Sequence, residues 1–392
     1  MTLLDDSKII TTANSFKAGT LYSIKPDDGT ADFTITRSST ATRINPSGNI
    51  ESVAINAPQI TYSGGCASFL VEPQRTNLHR YSEEIDNAAY LKSDVTVNAD
   101  SVASPDGTEN ADECTVGQFA QMYQTISLAA STTYTWSFYV KKGTITNIGQ
   151  QIYNMNGDGE YGTGGSYFSE LSSGWTRVSF TFTTGINGGD TRFYPINGSG
   201  SSGIGTVSLW GFQVEQYSAA TSYIPTTSGS VTRVKTVWET TGLSTIVKPT
   251  EGVFMAEIRF PHGNTDMATN IFSLNSGNTT NMVNIGHWSG YFGQVTMGTN
   301  HLLFGINTQP AVDENFHKIA VKYKSGDSAI WFDGVETNSS TTTGAPTGTN
   351  MDKISGSYGS MSGFWPFFGE IRQIQYYDDI LTDAELLDLT TP

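Results

Sequence analysis

The sequence predicts an all-β protein: two jelly-roll or β-sandwich domains in tandem after an irregular N-terminal segment, with one short C-terminal helix. Three observations predict it. Charged residues make up 15% of the 392 positions, below the roughly 25% of an average globular chain, so helices laced with ion pairs are not expected. Glycine occurs 41 times, and with Ser, Thr and Asn it supplies turns between short β-branched and aromatic runs. Those runs alternate apolar with polar side chains, the period of a strand with one buried face. A hydrophobic share of 37%, with 11% aromatic residues, is enough for substantial cores in two or three domains.

Residues 1–80 lack helical periodicity and carry short β-like runs such as Asp32-Phe33-Thr34-Ile35-Thr36 among glycines. They predict an irregular docking segment. Within it, Arg37, Arg43, Glu72 and Arg75 are expected to tie loops together through charge-assisted hydrogen bonds.

Residues 81–227 form the first predicted sandwich. Strands are expected over Phe119 to Leu128, Tyr134 to Val140, Gly149 to Met155, Trp175 to Thr183, Thr191 to Ile196 and Val207 to Val214, with turn residues between them. Period-two alternation puts Trp136, Phe138 and Val140 on one face of their strand and Val178, Phe180 and Phe182 on one face of theirs. Trp136, Trp175 and Trp210 are read as packing residues. The run Thr226-Thr227-Ser228-Gly229-Ser230 then reads as a linker.

Residues 231–392 form the second predicted sandwich. Its strands are expected over Val253 to Phe260, Asn270 to Leu274, Met282 to Ile285, Leu302 to Ile306, Lys318 to Tyr323, Ala329 to Phe332 and Glu370 to Tyr377. Asp333-Gly334 signals a tight hairpin, because glycine tolerates positive φ. Near the end, Thr382-Asp383-Ala384-Glu385 reads as a capping box ahead of Leu386, Leu387 and Leu389.

The charge balance of 21 basic against 37 acidic residues gives −16, which disfavours nonspecific attraction to phosphate backbones. No window approaches the length and apolarity of a membrane span, and the start MTLLDDSK lacks the basic-then-apolar layout of a secretory signal. Cys66 and Cys114 are the only cysteines, too few for a disulfide framework or a cysteine zinc site. His79, His262, His287, His301 and His317 show no metalloprotease spacing, and neither a nucleophile elbow nor a phosphate loop is present. No cofactor is expected. Structural calcium suits the chain better than zinc, with Asp106, Asp112 and Glu113 as candidate donors.

Four segments in fixed order carry a family likeness: DFTITRSSTATR (32–43), LVEPQRTNL (70–78), ATSYIPT (220–226) and GEIRQIQYYDDILTDAEL (369–386). Together they resemble bacteriophage virion proteins of the fibre or adhesin kind. The first sandwich resembles carbohydrate-binding modules, and the second resembles laminin-G and concanavalin-like lectin domains. The resemblance implies a noncatalytic head or tail fibre or decoration subunit that binds host-surface polysaccharide. It also implies assembly in the bacterial cytoplasm, other virion proteins as partners, and a homo-oligomer, dimer or trimer, without membrane insertion. The Glu-x-Asp-x-Glu strand of glucanases that share the concanavalin-like sandwich is absent. A depolymerase or accessory hydrolase, and a purely architectural virion subunit, stay open as alternatives.

Sugar binding calls for aromatic faces beside planar amides or guanidinium groups. Three pairs on polar strand faces meet that description: Gln121 with Tyr123, Gln151 with Tyr153, and Arg192 with Tyr194. If their strands are neighbours, the six residues form one aromatic and polar platform. Two further aromatic clusters, 287–292 and 364–367, are read as packing or subunit contacts.

Overall fold

A computed structural model of the chain describes residues 3–17, 19–162, 166–197, 203–260, 269–277, 281–288, 291–297, 300–304, 314–342, 344, 351–357 and 367–392. Almost every described element is a strand. The tandem arrangement, however, is replaced by an insertion. One compact unit comprises residues 41–52 and 74–234, and the other comprises 1–40, 53–73 and 235–392.

The discontinuous unit corrects the expectation of an irregular N-terminal segment. Strand Ile9–Lys17 pairs with Gly369–Tyr377, Ile9 standing opposite Tyr376, and Ser68–Val71 pairs with the other end of the same strand, Phe69 opposite Ile371. Thr34–Thr36 adds to Val237–Thr241. The physical reason is in the burial: Ile9, Phe33, Ile35, Phe69 and Val71 are buried in one core with Trp238, Phe254, Phe272 and Ile374, so the early strands complete a hydrophobic layer that the later ones cannot close alone. Arg37 is nearly inaccessible and donates to the Ser39 and Ala54 carbonyls at 3.1 and 2.8 Å. Buried Glu72 accepts from Gln59 at 2.7 Å.

One sheet of this unit runs Thr20–Lys25, Ile9–Lys17, Gly369–Tyr377, Glu251–Arg259, His317–Lys324, Ser328–Phe332, Val335–Ser340. The hairpin expected at Asp333-Gly334 is present, with φ of 47° and 78° and Phe332 opposite Val335, as a two-residue turn with two positive φ values requires. The C-terminal helix, Asp383–Thr390, has its capping box: Thr382 N–H donates to Glu385 at 2.7 Å and Glu385 N–H donates to the Thr382 hydroxyl at 3.3 Å. Leu386 and Leu389 seat the helix on Val253, Met255, Ala320 and Trp331.

The inserted unit is built around an eight-stranded sandwich, with two short two-stranded ribbons, Ala41–Ile44 with Ile50–Val53 and Arg75–Asn77 with Val231–Arg233, beside it. The sandwich strands are β1 (Leu91–Ala103), β2 (Glu109–Leu128), β3 (Thr133–Lys142), β4 (Gln151–Asn154), β5 (Gly159–Gly162), β6 (Trp175–Thr183), β7 (Gly189–Asn197) and β8 (Gly205–Glu215). The hydrogen-bonded order is β5-β4-β7-β2-β8-β3-β6, with β1 beside β2. β2 serves both layers, pairing with β8 through Asp112 to Val116 and with β7 through Gln121 to Leu128. The break between those stretches is at Gly117, where a Cβ would lie 2.2 Å from the Asp94 carboxylate. A side chain there would have to displace the exposed Asp94 carboxylate.

Trp136, Phe138 and Val140 face inward as the alternation predicts, opposite Phe180, Val178 and Thr176. Trp210 and half-buried Trp175 pack instead on the outer face of the β8-β3-β6 layer, with Ile44, Ile50, Tyr139 and Tyr223 over them. That face is sealed by its own unit. Arg43 pairs with Glu51 there, and the Arg75 guanidinium lies 3.9 Å over the Tyr217 ring. The strand β1 was not anticipated, because Asp, Asn and Ser interrupt its alternation. The 226–230 run is only partly a linker, since Thr226 is buried and its hydroxyl donates to the His79 carbonyl at 2.6 Å.

Candidate functional site

The three strands carrying the predicted pairs are neighbours. β4 pairs with β7 so that Gln151 stands opposite Tyr194 and Tyr153 opposite Arg192. β7 pairs with β2 so that Arg192 stands opposite Thr125 and Asn197 opposite Gln121. On the inner face of the same strands, Met122, Ile126, Leu128, Ile152, Phe193 and Ile196 are buried in the core, which fixes the register and leaves Gln121, Tyr123, Gln151, Tyr153, Arg192 and Tyr194 on the outer face.

A bulge sharpens this arrangement. Between Met122 and Gln124 β2 advances two residues while β7 advances three, from Ile196 to Phe193, so Tyr194 and Pro195 together oppose Tyr123. Proline has no N–H to lose from a ladder, so it sits at such a site without cost. The extra residue re-aims Tyr194 toward Tyr123, and their rings meet at 4.7 Å with a 40° tilt.

Arg192 lies over the pair. Its guanidinium carbon is 4.7 Å from the Tyr123 ring centre, and an Nη1–H donates a long hydrogen bond to the Tyr194 hydroxyl at 3.4 Å. That hydroxyl holds the guanidinium firmly in its charged form. Among the described residues Arg192 makes no ion pair, so its charge is available to an incoming group. At the far side Asn197 donates to the Gln151 amide oxygen at 3.0 Å, which orients the amide.

The six residues are not equivalent. Tyr153 is 40% exposed and Tyr194 only 7%. Tyr194 is therefore a floor under Tyr123 and Arg192 rather than a contact surface. Three residues outside the predicted set complete the face: Leu91, opposite Tyr123; Thr125, opposite Arg192; and Glu160, opposite Tyr153. Thr125 was legible as the position two after Tyr123. Leu91 was not, because its strand was missed.

The other candidates have structural partners. Among the described residues no group of three or more His, Cys, Asp or Glu side chains is placed to hold a metal. Asp106 accepts from Ser104 and Thr108, both at 2.7 Å, and Asp112 accepts backbone N–H groups of Ile85, Asp86 and Asp100. Two acidic runs, 83–86 and 378–379, are engaged as well: Glu83 accepts from the Tyr223 hydroxyl at 3.0 Å, and burial raises its pKa. Lys248 lies 3.5 Å from Asp378 and 2.7 Å from Asp379. His317 contacts Asp333 at 2.6 Å. His262, the side chains of 287–292 and residues 364–366 lie outside the described residues, as does the side chain of His301.

His79 is a buried core residue, stacked on Phe212 at 5.1 Å and beside Tyr90 at 5.5 Å. Burial lowers its pKa to about 3. The unfolded chain takes this proton near pH 6.5 and the folded one only near 3, so stability is complete above 6.5 and falls as pH drops between those values. The contribution to the slope is about 1.4 kcal/mol per pH unit. Denaturant titrations across that window should give a shallower pH dependence for His79→Gln, and parallel curves would refute this assignment.

No protein-family model matches the sequence, and no curated protein sequence matches it. Among solved structures, the chain is similar to domain 4 of AbnA, a GH43 extracellular arabinanase from Geobacillus stearothermophilus, solved in complex with arabinotriose, at 16% identity, covering 44% of this chain and 82% of that one with a TM-score of 0.32. It is similar to the Ruminococcus gnavus IT-sialidase CBM40 bound to α2,3 sialyllactose at 16% identity, over 38% of this chain and 91% of that one, TM-score 0.32. The enzymatically active domain of bacteriophage CBA120 tailspike protein 4 is matched at 12% identity over 35% of this chain, TM-score 0.29, and the match spans only 21% of that domain's chain.

Proposed function

We propose that this chain is a noncatalytic glycan-binding subunit of a phage virion, a head or tail fibre or decoration protein, with the β4-β7-β2 face of the inserted sandwich as its sugar contact. One observation carries the reading. Two tyrosine faces, an oriented amide and a guanidinium with no ion pair among the described residues gather on a sheet face where Tyr153 and Leu91 are exposed, while the outer face of the other layer is sealed by Trp210, Tyr223 and the segment around Ile50. Aromatic rings take the C–H face of a pyranose, and the amide and guanidinium bond its hydroxyls. A shallow face of this kind binds weakly per copy. Repetition in a dimer or trimer, and again along a virion, supplies the avidity.

The test is binding of the purified protein to whole host cells and to a glycan array, both free and clustered on a multivalent support, with reducing ends assayed in the same samples. Saturable binding without reducing-end release is expected. Absence of binding by the clustered protein would favour an architectural virion subunit instead. Release of reducing ends that one carboxylate substitution abolishes would make it a depolymerase.

A further inference from the structure

The discontinuous unit has a cleft on the outer face of its Glu251–Arg259, His317–Lys324 and Gly369–Tyr377 strands, with a volume of about 360 Å³. That lies within the range of small-molecule sites. The C-terminal helix covers only the part of this face around Val253, Met255 and Ala320. Where it ends, the cleft begins.

Two arginines shape the site. Arg259 uses its Nη2 on Glu370 and on Ser63, the latter at 3.0 Å. Arg372 uses its Nη1 on Glu257 at 3.0 Å. The remaining ends, Arg259 Nη1 and Arg372 Nη2, have no hydrogen-bond partner among the described residues. Both flank one spot, because a methyl group placed on Gly64 would lie 3.7 Å from the first and 3.9 Å from the second. Their Nε–H groups are also buried and have no partner among the described residues. The Phe316 ring holds the two guanidinium groups in place, at 4.9 Å from Arg259 and 3.7 Å from Arg372.

The carboxylates lie lower. Glu370 is 4% and Glu257 14% exposed at the side chain, against 17% for Arg259 and 30% for Arg372. The acids therefore form the floor and donors stand above it, while exposed Glu314 is on the rim. Converging N–H groups with no acceptor between them suit a ligand group that only accepts. An apolar ring alongside suits the C–H face of a sugar.

We infer that this cleft is a second saccharide site, separate from the tyrosine platform, in which Arg259 and Arg372 take the carboxylate of a uronic-acid residue. The inference does not depend on the platform. It predicts opposite effects for two side chains of the cleft: Arg372→Gln removes a donor and weakens binding roughly tenfold, whereas Glu314→Gln removes a repelling charge from the rim and strengthens it.

The experiment is calorimetric titration of the full chain, carrying Tyr123→Ala and Tyr153→Ala so that the platform is disabled, with a uronic-acid oligosaccharide and with the same oligosaccharide carboxyl-reduced. Expected are binding of the acidic form only, a loss of affinity at high salt, and the opposite shifts in Arg372→Gln and Glu314→Gln. Equal binding of the two forms, or no binding of either, would overturn the proposal. Glu314→Gln keeps it falsifiable if Arg372→Gln fails to fold, because the rim residue is exposed: unchanged affinity there would equally refute it. Loss of platform binding in the parent chain would leave this result untouched.

Discussion

Tyr153→Ala is expected to weaken monovalent glycan binding by about 2 kcal/mol, roughly thirtyfold, while leaving the fold intact. The ring is 40% exposed, so its loss opens no cavity and removes only the surface it offers to a sugar. Tyr123→Ala should cost at least as much, because it also takes away the ring beneath Arg192 and the partner of Tyr194. Tyr194→Phe provides the contrast. It keeps the floor and removes only the hydroxyl that accepts from Arg192, so a smaller loss is expected. Calorimetry on unclustered protein is the right measurement, since avidity on cells masks changes of this size. Unchanged affinity in a folded Tyr153→Ala, Tyr123→Ala double variant would remove the platform from consideration.

The largest effect on stability is expected at Trp136. Its side chain is fully buried, with the rings of Phe138, Phe180 and Phe193 at 4.8, 5.7 and 5.4 Å. Truncation to alanine loses the transfer energy of an indole and leaves a cavity that these rings cannot fill, about 3–5 kcal/mol. The Trp136 Nε1–H has no hydrogen-bond partner among the described residues, and a buried orphan donor is itself destabilising. Trp136→Phe should therefore cost much less than the alanine change, because it relieves that donor while keeping most of the packing. Each unit has its own core, so chemical denaturation followed by circular dichroism should shift only the inserted unit's transition. A shift below about 1 kcal/mol for Trp136→Ala would contradict this packing account.

Much of the local structure was legible. The sides of the Trp136 and Val178 strands follow from alternation, which any two successive side chains encode. The hairpin at Asp333-Gly334 and the capping box at Thr382 are equally local, each needing only residues within reach of one turn. The outward parity of Gln121 with Tyr123, and of Gln151 with Tyr153, was readable for the same reason. What those strands lie beside was not. Pairing of β4 with β7 and of β7 with β2 joins residues tens of positions apart, and nothing inside either strand names its partner.

The sequence by itself thus determined the positions and faces of the strands that alternate cleanly, together with the Asp333-Gly334 turn and the helix cap, because period-two alternation and capping act over a few residues; β1 and most of the N-terminal strands carry no such pattern. Only the tertiary structure decided that Ile9 meets Tyr376 and Phe69 meets Ile371, so that the N-terminal strands belong to the C-terminal sandwich and the other sandwich is inserted between them. It also decided the bulge at Tyr194-Pro195 and the meeting of Arg259 with Arg372 over Phe316. Such contacts depend on closing long loops around a shared core, a cost recovered only when the whole layer is buried.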